Sequence, residues 1–143
     1  MDLRQVYTQL INEHNKNCMH KHHLDQPTAT KYGVNPSCGD EITLELKIEN
    51  DTILDASFTG YGCAISQAST DMMIDLIKGK SVEQAKELSS LFKRMIRNEL
   101  VEEDDIEQLE DATALQDVAH MPARVKCAVL AWHTFEEIVS EEE

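Results

Sequence analysis

The chain has 143 residues, 41% of them hydrophobic, which is the size and apolar content of one domain with a modest core. Its formal net charge of −14 disfavours nucleic acid as a partner, because phosphate backbones require an excess of Lys and Arg, and favours a basic patch on a protein. No apolar run approaches the roughly 20 residues that cross a bilayer, and the N-terminus lacks a signal-peptide pattern, so we expect a cytoplasmic protein that does not bind membranes.

The first predicted element is an amphipathic helix over residues 2 to about 14. Its apolar positions recur every three or four residues, which places them on a single face. That buried stripe consists of Leu3, Val6, Tyr7, Leu10 and Ile11.

Two strands joined by a tight turn at residues 49–51 are predicted next. Apolar and polar side chains alternate on both sides of this turn, which is the period of a half-buried strand. Strands connected so closely pair antiparallel, so the sequence predicts a β-hairpin. Its buried positions are Ile42, Leu44, Leu46 and Ile48 in the first strand and Leu54, Ala56 and Phe58 in the second.

The spacing of apolar residues then becomes helical. One helix is predicted to begin at Cys63 and stop at Gly79, and another to begin at Ser81, where Gln84 completes a capping box. The predicted core positions are Ile65, Ala68, Met72, Leu76 and Ile77 in the former, and Val82, Ala85, Leu88, Phe92, Met95 and Ile96 in the latter.

An acidic segment and a final helix complete the chain. Residues 99–111 carry eight carboxylates and no Lys or Arg, which predicts a solvated excursion even if Leu100, Ile106 and Leu109 touch the core. The last helix is predicted to begin near Pro122. Its apolar positions are Val125, Val129, Trp132, Phe135 and Val139. The order of helix, strands and helices predicts an α+β fold in one domain spanning residues 1–143.

Three of the four cysteines lie where predicted elements begin or end. Cys38 and Asp40 flank Gly39 in a loop before the first hairpin strand, Cys63 opens a helix, and Cys127 lies about one turn inside the last helix. In a reducing compartment such cysteines are candidates for metal ligands or reactive thiols. Three thiolates and one carboxylate make a complete tetrahedral zinc set.

The residues alone leave a second interpretation open. Free cysteines are often small buried hydrophobes, and the gaps between these three match no standard zinc finger. The sequence has no Cys-x-x-Cys pair, which disfavours a thioredoxin-like role.

Three motifs carry a resemblance to a known family. The runs Asn-Pro-Ser-Cys-Gly-Asp at 35–40, Gly-Tyr-Gly-Cys-Ala-Ile-Ser at 60–66 and Pro-Ala-Arg-Val-Lys-Cys at 122–127 together resemble the IscU and NifU-like scaffold family. The acidic segment at 99–111 and Lys126, where IscU proteins have histidine, are most similar to the SufU branch. The resemblance implies a fold of about three antiparallel strands packed against several helices.

The resemblance also implies a function. It is that of a zinc-dependent sulfurtransferase, which accepts persulfide sulfur from a SufS-like cysteine desulfurase and supplies downstream iron-sulfur assembly proteins. Cys38, Asp40, Cys63 and Cys127 match the zinc ligands. In the family mechanism the desulfurase supplies a histidine to zinc and releases one cysteine. We expect that cysteine to be Cys38, because a loop residue can swing away while Cys63 and Cys127 are held by helices.

Two other functions fit the same ligands. One is a scaffold that builds a transient iron-sulfur cluster on them. The other is a non-enzymatic adaptor with a structural zinc, although structural sites usually prefer cysteine and histidine to a carboxylate such as Asp40.

Two further features bear on the site. Arg124 precedes Cys127 by three residues on the same helix face and would offset the negative charge of the ligands, or it is an ordinary surface arginine. Residues 14–23 depart from the stretch usual in the family. There Cys18, His20, His22 and His23 are either a second metal site or solvated side chains.

Overall fold

The computed structural model describes residues 3–99 and 102–141, with side chains from residue 5 onward. Six helical segments and three strands follow one another along the chain. They are α1 Leu3–Lys16, β1 Ala29–Asn35, β2 Asp40–Glu49, β3 Thr52–Tyr61, α2 Ala64–Ile77, α3 Val82–Ile96, α4 Glu103–Glu107, a run of 3₁₀ turns at Glu110–His120, and α5 Pro122–Glu141. The prediction of an α+β fold with about three antiparallel strands is confirmed.

The three strands form one antiparallel sheet in the order β1-β2-β3. The β2–β3 connection is a two-residue turn in which Asn50 and Asp51 both have positive φ, 52° and 60°. This is the turn type whose twist matches that of a hairpin, and Asn and Asp adopt it at low cost. The predicted hairpin is confirmed.

One core position in the hairpin was predicted wrongly. Leu54 is 44% exposed, and its neighbour Ile53 is fully buried in its place. The pairing register shifts between Lys47 and Ile48, where Asp55 and Ile53 are their partners, so Leu54 is the extra residue of a β-bulge. Beyond a one-residue bulge, the side chains that face the core change by one position. The alternation of apolar and polar residues in the sequence does not reveal where such a bulge lies.

The helices match the predicted caps. Cys63 is the N-cap of α2, and Ser81 caps α3 in a capping box with Gln84. Gly79 follows α2 with φ of +86°, the left-handed conformation that ends a helix. The first helix extends to Lys16, beyond the predicted end, and residue 2 lies outside the described residues.

The acidic segment is only partly a solvated excursion. Its carboxylates are largely exposed, but Leu109 is buried and Ile106 packs partly against the core. Leu100, the third predicted contact, lies outside the described residues. None of the helices in the described ranges is long and apolar enough to span a membrane.

The core lies between the sheet and the helices, and it fixes α5 against α2. Trp132 of α5 is fully buried and stacks on Phe92 with ring centroids 4.1 Å apart. Its Nε1 donates to Ser69 Oγ of α2 at 3.0 Å, and that hydroxyl donates to the carbonyl of Ala128 at 2.6 Å. Buried polar bonds of this kind hold two helices in one register, and here they set where Cys127 stands relative to α2.

Candidate metal centre

The sheet register brings Asp40 and Cys63 together. Glu41 pairs with Tyr61, so the first residue of β2 lies beside the residues that follow β3. The fully buried Asp40 accepts a hydrogen bond from the backbone N–H of Cys63 through Oδ1 at 2.9 Å. A buried carboxylate needs such donors, and one of them comes from the segment that carries a predicted ligand.

Cys38 and Cys127 meet Asp40 from two other elements. Cys38 is exposed in the loop between β1 and β2, and Cys127 is buried on α5. Their sulfur atoms are 3.0 Å apart, much longer than the roughly 2.05 Å of a disulfide bond, and both cysteines are free. The ligand atoms of Cys38, Asp40 and Cys127 all lie within 4.8 Å of one another.

Cys63, the fourth predicted ligand, stands next to this group. Its sulfur accepts a hydrogen bond from the Ser66 backbone N–H at 3.4 Å as the cap of α2, and it also influences the ionisation of Cys127. The structure therefore places three predicted ligands in one group and the fourth against it.

The surroundings of Cys127 raise the pKa of its thiol. Burial is the largest cause, followed by hydrogen bonding with Cys38, Asp40 and Cys63. Negative charge on the neighbours, Cys63 among them, disfavours the thiolate form of Cys127. A cation at their centre would reverse this effect.

Arg124 supplies positive charge at the rim of the group. Its guanidinium is exposed, and its pKa is raised first by the negative charge of Cys63 and then by hydrogen bonding to Cys127. The beginning of α5 therefore carries the Cys127 thiol and a cation on one face.

Two residues that sequence reasoning did not assign complete the surroundings. Asn35 is buried, and its Nδ2 lies 3.5 Å from Asp40 Oδ2 and 3.7 Å from Cys127 Sγ. Gly62 has no side chain, and a Cβ there would stand 2.6 Å from Asp40 Oδ1. Both belong to the runs 35–40 and 60–66, so their places in the motifs were the available signal.

The donor set fits zinc. Thiolates and a carboxylate are ligands that zinc accepts at about 2.0–2.3 Å, and its geometric demands are weak. Cys38, Asp40 and Cys127 converge without a histidine. Because Gly62 has no Cβ, the carboxylate of Asp40 fits beside it without a steric clash.

The second hypothetical ligand set, in residues 14–23, does not come together. Cys18 donates to the carbonyl of His14 at 2.9 Å, and the ring of His22 lies 3.0 Å from the carbonyl oxygen of His23. His23 points to Glu45, while His20 approaches Asp75. Of Cys18, His20, His22 and His23, His20 is the residue whose side chain contacts a carboxylate of α2, that of Asp75.

Comparisons with known proteins show which family the chain resembles over its length. The model of the NifU-like N-terminal domain family matches residues 6–141. The zinc-dependent sulfurtransferase SufU of Bacillus subtilis is 42% identical, over 99% of this chain and 95% of its own. The iron-sulfur cluster assembly scaffold protein IscU of Thermotoga maritima is 38% identical, over 99% and 97%.

A solved structure shows the same fold. The putative iron-sulfur cluster assembly scaffold protein for the SUF system from Fervidobacterium islandicum superimposes with a TM-score of 0.87 at 34% identity. The match covers 96% of this chain and 99% of that one.

Proposed function

This chain belongs to the family of NifU-like N-terminal domains, and we propose that it is a zinc-dependent sulfurtransferase for iron-sulfur cluster assembly. It accepts persulfide sulfur from a cysteine desulfurase. The observation that carries the proposal is the position of Cys38, an exposed thiol on a glycine-containing loop that lies within 4.8 Å of Asp40 and Cys127.

Cys38, Asp40, Cys63 and Cys127 would hold the zinc ion. When bound, zinc is redox-inert and keeps thiols deprotonated at neutral pH without oxidising them. The raised pKa of Cys127 supports a need for such a cation, because burial and its acidic neighbours oppose ionisation of that thiol.

Cys38 is the proposed sulfur acceptor. Its thiolate attacks the outer sulfur of the desulfurase persulfide, a new S–S bond forms on Cys38, and the enzyme's own cysteine leaves as a thiolate. The transfer moves one sulfur atom without net oxidation or reduction. Gly39 beside it has φ of +75° and nothing within 4 Å of where a Cβ would stand, so the loop has space around it.

Arg124 and Asn35 would position the acceptor's neighbours. The exposed guanidinium of Arg124 faces Cys63 and Cys127 and offsets part of the ligands' negative charge. The Asn35 amide donates toward Asp40 and Cys127. Cys127, buried on α5, would therefore remain in place while Cys38 reacts.

A scaffold function is the second candidate, since one relative at 38% identity is named a scaffold. Three thiols and a carboxylate would also bind an iron-sulfur cluster. The absence of histidine from the group that the described residues form favours zinc and sulfur transfer. Lys126, next to Cys127, occupies the position at which IscU proteins have a histidine, so this chain would not offer that histidine to a cluster.

The proposed partner is a SufS-like cysteine desulfurase with a basic docking patch. The formal charge of −14 would attract such a surface, and an attraction of this kind weakens as salt rises. The proposed location is the cytoplasm, where a reducing environment keeps the four free cysteines as thiols. Other iron-sulfur assembly proteins would receive the sulfur.

Desulfurase turnover measured with and without this protein tests the proposal. We expect stimulation at low salt that declines as salt rises, with about one zinc per chain. Replacement of Cys38 by Ser should abolish the stimulation, whereas Cys18→Ser should preserve it, because Cys18 bonds to the His14 carbonyl away from the proposed ligands. Equal turnover with and without the wild-type protein would refute the proposal, and a brown, iron-loaded protein would favour the scaffold.

A further inference from the structure

A second group of metal-ligating side chains joins α1 to α2. His14 lies near the end of α1, and Asp71 and Asp75 are four residues apart on α2, so the two carboxylates share a helix face. His14 Nδ1 is 2.7 Å from Asp71 Oδ2 and 4.0 Å from Asp75 Oδ2. One ligand atom from each of the three residues lies within 4.8 Å of the others.

Each of these three residues is also held by a partner on its far side. The other ring nitrogen of His14 is 3.0 Å from Asp111 Oδ2 in the 3₁₀ segment. Asp71 Oδ1 accepts from the backbone N–H of His20 at 3.1 Å, and Asp75 Oδ1 is 2.5 Å from His20 Nε2. Ligands of metal sites are oriented in this way, with a carboxylate on the second nitrogen of a ligating histidine.

His14 lies between two carboxylates, with Asp71 on one side and Asp111 on the other. Burial lowers the pKa of His14, but the hydrogen bonds to Asp111 and Asp71 raise it above its ordinary value, so the protonated ring donates to both in the metal-free protein. A metal ion at Nδ1 would satisfy Asp71 while the Nε2–H satisfies Asp111. Asp71 is only 2% exposed, so its carboxylate requires a positive partner, which is either the protonated His14 ring or a metal ion.

An open cavity adjoins the group. A cavity of about 310 Å³ is lined by Asp75, Glu110 and Asp111, together with apolar side chains of α2 and of Leu109. The side chain of Asp75 is 50% exposed, so an ion would have an entry path and positions for water. The ligand atoms are nitrogen and oxygen, which suit divalent ions harder than those that thiolates select.

We propose that His14, Asp71 and Asp75 form a second metal site for a divalent first-row transition ion such as Mn²⁺ or Fe²⁺, with Asp111 and His20 as orienting partners. The site is distinct from the thiol group, because its residues come from α1 and the second half of α2 and include no sulfur. A bound ion would tie α1 to α2 and the 3₁₀ segment.

The test uses full-length protein already loaded with one equivalent of zinc and titrates it with Mn²⁺. Loss of the electron paramagnetic resonance signal of free Mn²⁺ reports binding. We expect one saturable site per chain, and a melting temperature that rises with Mn²⁺. Asp111→Asn should weaken binding by about 10- to 100-fold, and Asp75→Asn by at least about tenfold.

Asp104→Asn is the matched control, because Asp104 is an exposed carboxylate of α4 outside the group. It should bind Mn²⁺ as the wild type does. Asp75 is half-exposed, so Asp75→Asn should stay folded, which circular dichroism checks. The proposal is overturned if wild-type protein shows no saturable site, or if Asp75→Asn binds as tightly as Asp104→Asn. Zinc content and sulfur transfer are read separately, so failure here leaves the proposed function untouched.

Discussion

Replacement of Gly62 by Ala should weaken zinc binding through Asp40. The added Cβ would stand 2.6 Å from Asp40 Oδ1, about 0.8 Å closer than the 3.4 Å at which ordinary contacts begin. Asp40 is fully buried and cannot move aside without stretching its 2.9 Å bond from the Cys63 N–H. A hydrogen bond to a charged group contributes about 1.5–3 kcal/mol, so the loss corresponds to roughly 10- to 100-fold in zinc affinity.

Competition with a chromophoric zinc chelator measures this change. Gly79→Ala is the control, because a Cβ there meets nothing within 4 Å, yet its φ of +86° makes any side chain costly. It should lower the melting temperature through a strain of about 1 kcal/mol and leave zinc affinity unchanged. If Gly62→Ala binds zinc as tightly as the wild type, the inferred part of Asp40 in the site is wrong.

Three other outcomes follow from the structure. Because the pKa of Cys127 is raised, the metal-free thiol is protonated at neutral pH, so zinc binding should release protons and become tighter as pH rises. Calorimetry in buffers of different ionisation enthalpy measures the proton release, and titrations at several pH values measure the change in zinc affinity. Chelation of zinc should lower the melting temperature. If free zinc had exceeded its Kd about 1,000-fold, the apparent free energy of unfolding should fall by about 4 kcal/mol. An unchanged melting temperature would contradict a structural contribution of zinc. Burial raises the pKa of Glu45, but hydrogen bonds from Leu24 N–H, His23 and Ser57 bring it below its ordinary value. The free energy of unfolding should therefore fall as pH drops through that pKa. Glu45→Gln should reduce this loss of stability at acidic pH in melting temperatures measured at several pH values.

Local signals predicted most of the helices and the hairpin. Caps at Ser81 and Gly79 mark helix ends through hydrogen bonds and backbone conformation that depend on a few neighbouring residues. The bulge at Leu54 was not predictable in this way, because it depends on the pairing register of two strands. Strand β1 was expected only as part of a three-stranded fold, because apolar and polar residues alternate weakly in its sequence. Its large apolar side chains also do not mark the core face, since Tyr32 and Val34 are exposed.

The candidate site was predictable as a set of residues but not as a geometry. Cys38, Asp40 and Cys127 were chosen from their places at element boundaries and from the family motifs, and the structure groups them. The register that joins β2 to β3, and the position of the Asn35 amide between two of the proposed ligands, follow from tertiary packing. The approach of His14 to Asp71 joins residues 57 positions apart, for which the sequence carried no local signal.

Mapping the transferred sulfur by mass spectrometry tests the central claim most directly. Zinc-loaded wild-type protein is mixed with desulfurase and cysteine for a single turnover, and the modified peptides are identified under conditions that preserve persulfides. The account predicts one added sulfur on Cys38, none on Cys18, and no transfer to Cys38→Ser, because only Cys38 combines an exposed position with the group formed by Asp40 and Cys127. Added sulfur on Cys63, Cys127 or Cys18 with Cys38 unmodified would contradict it.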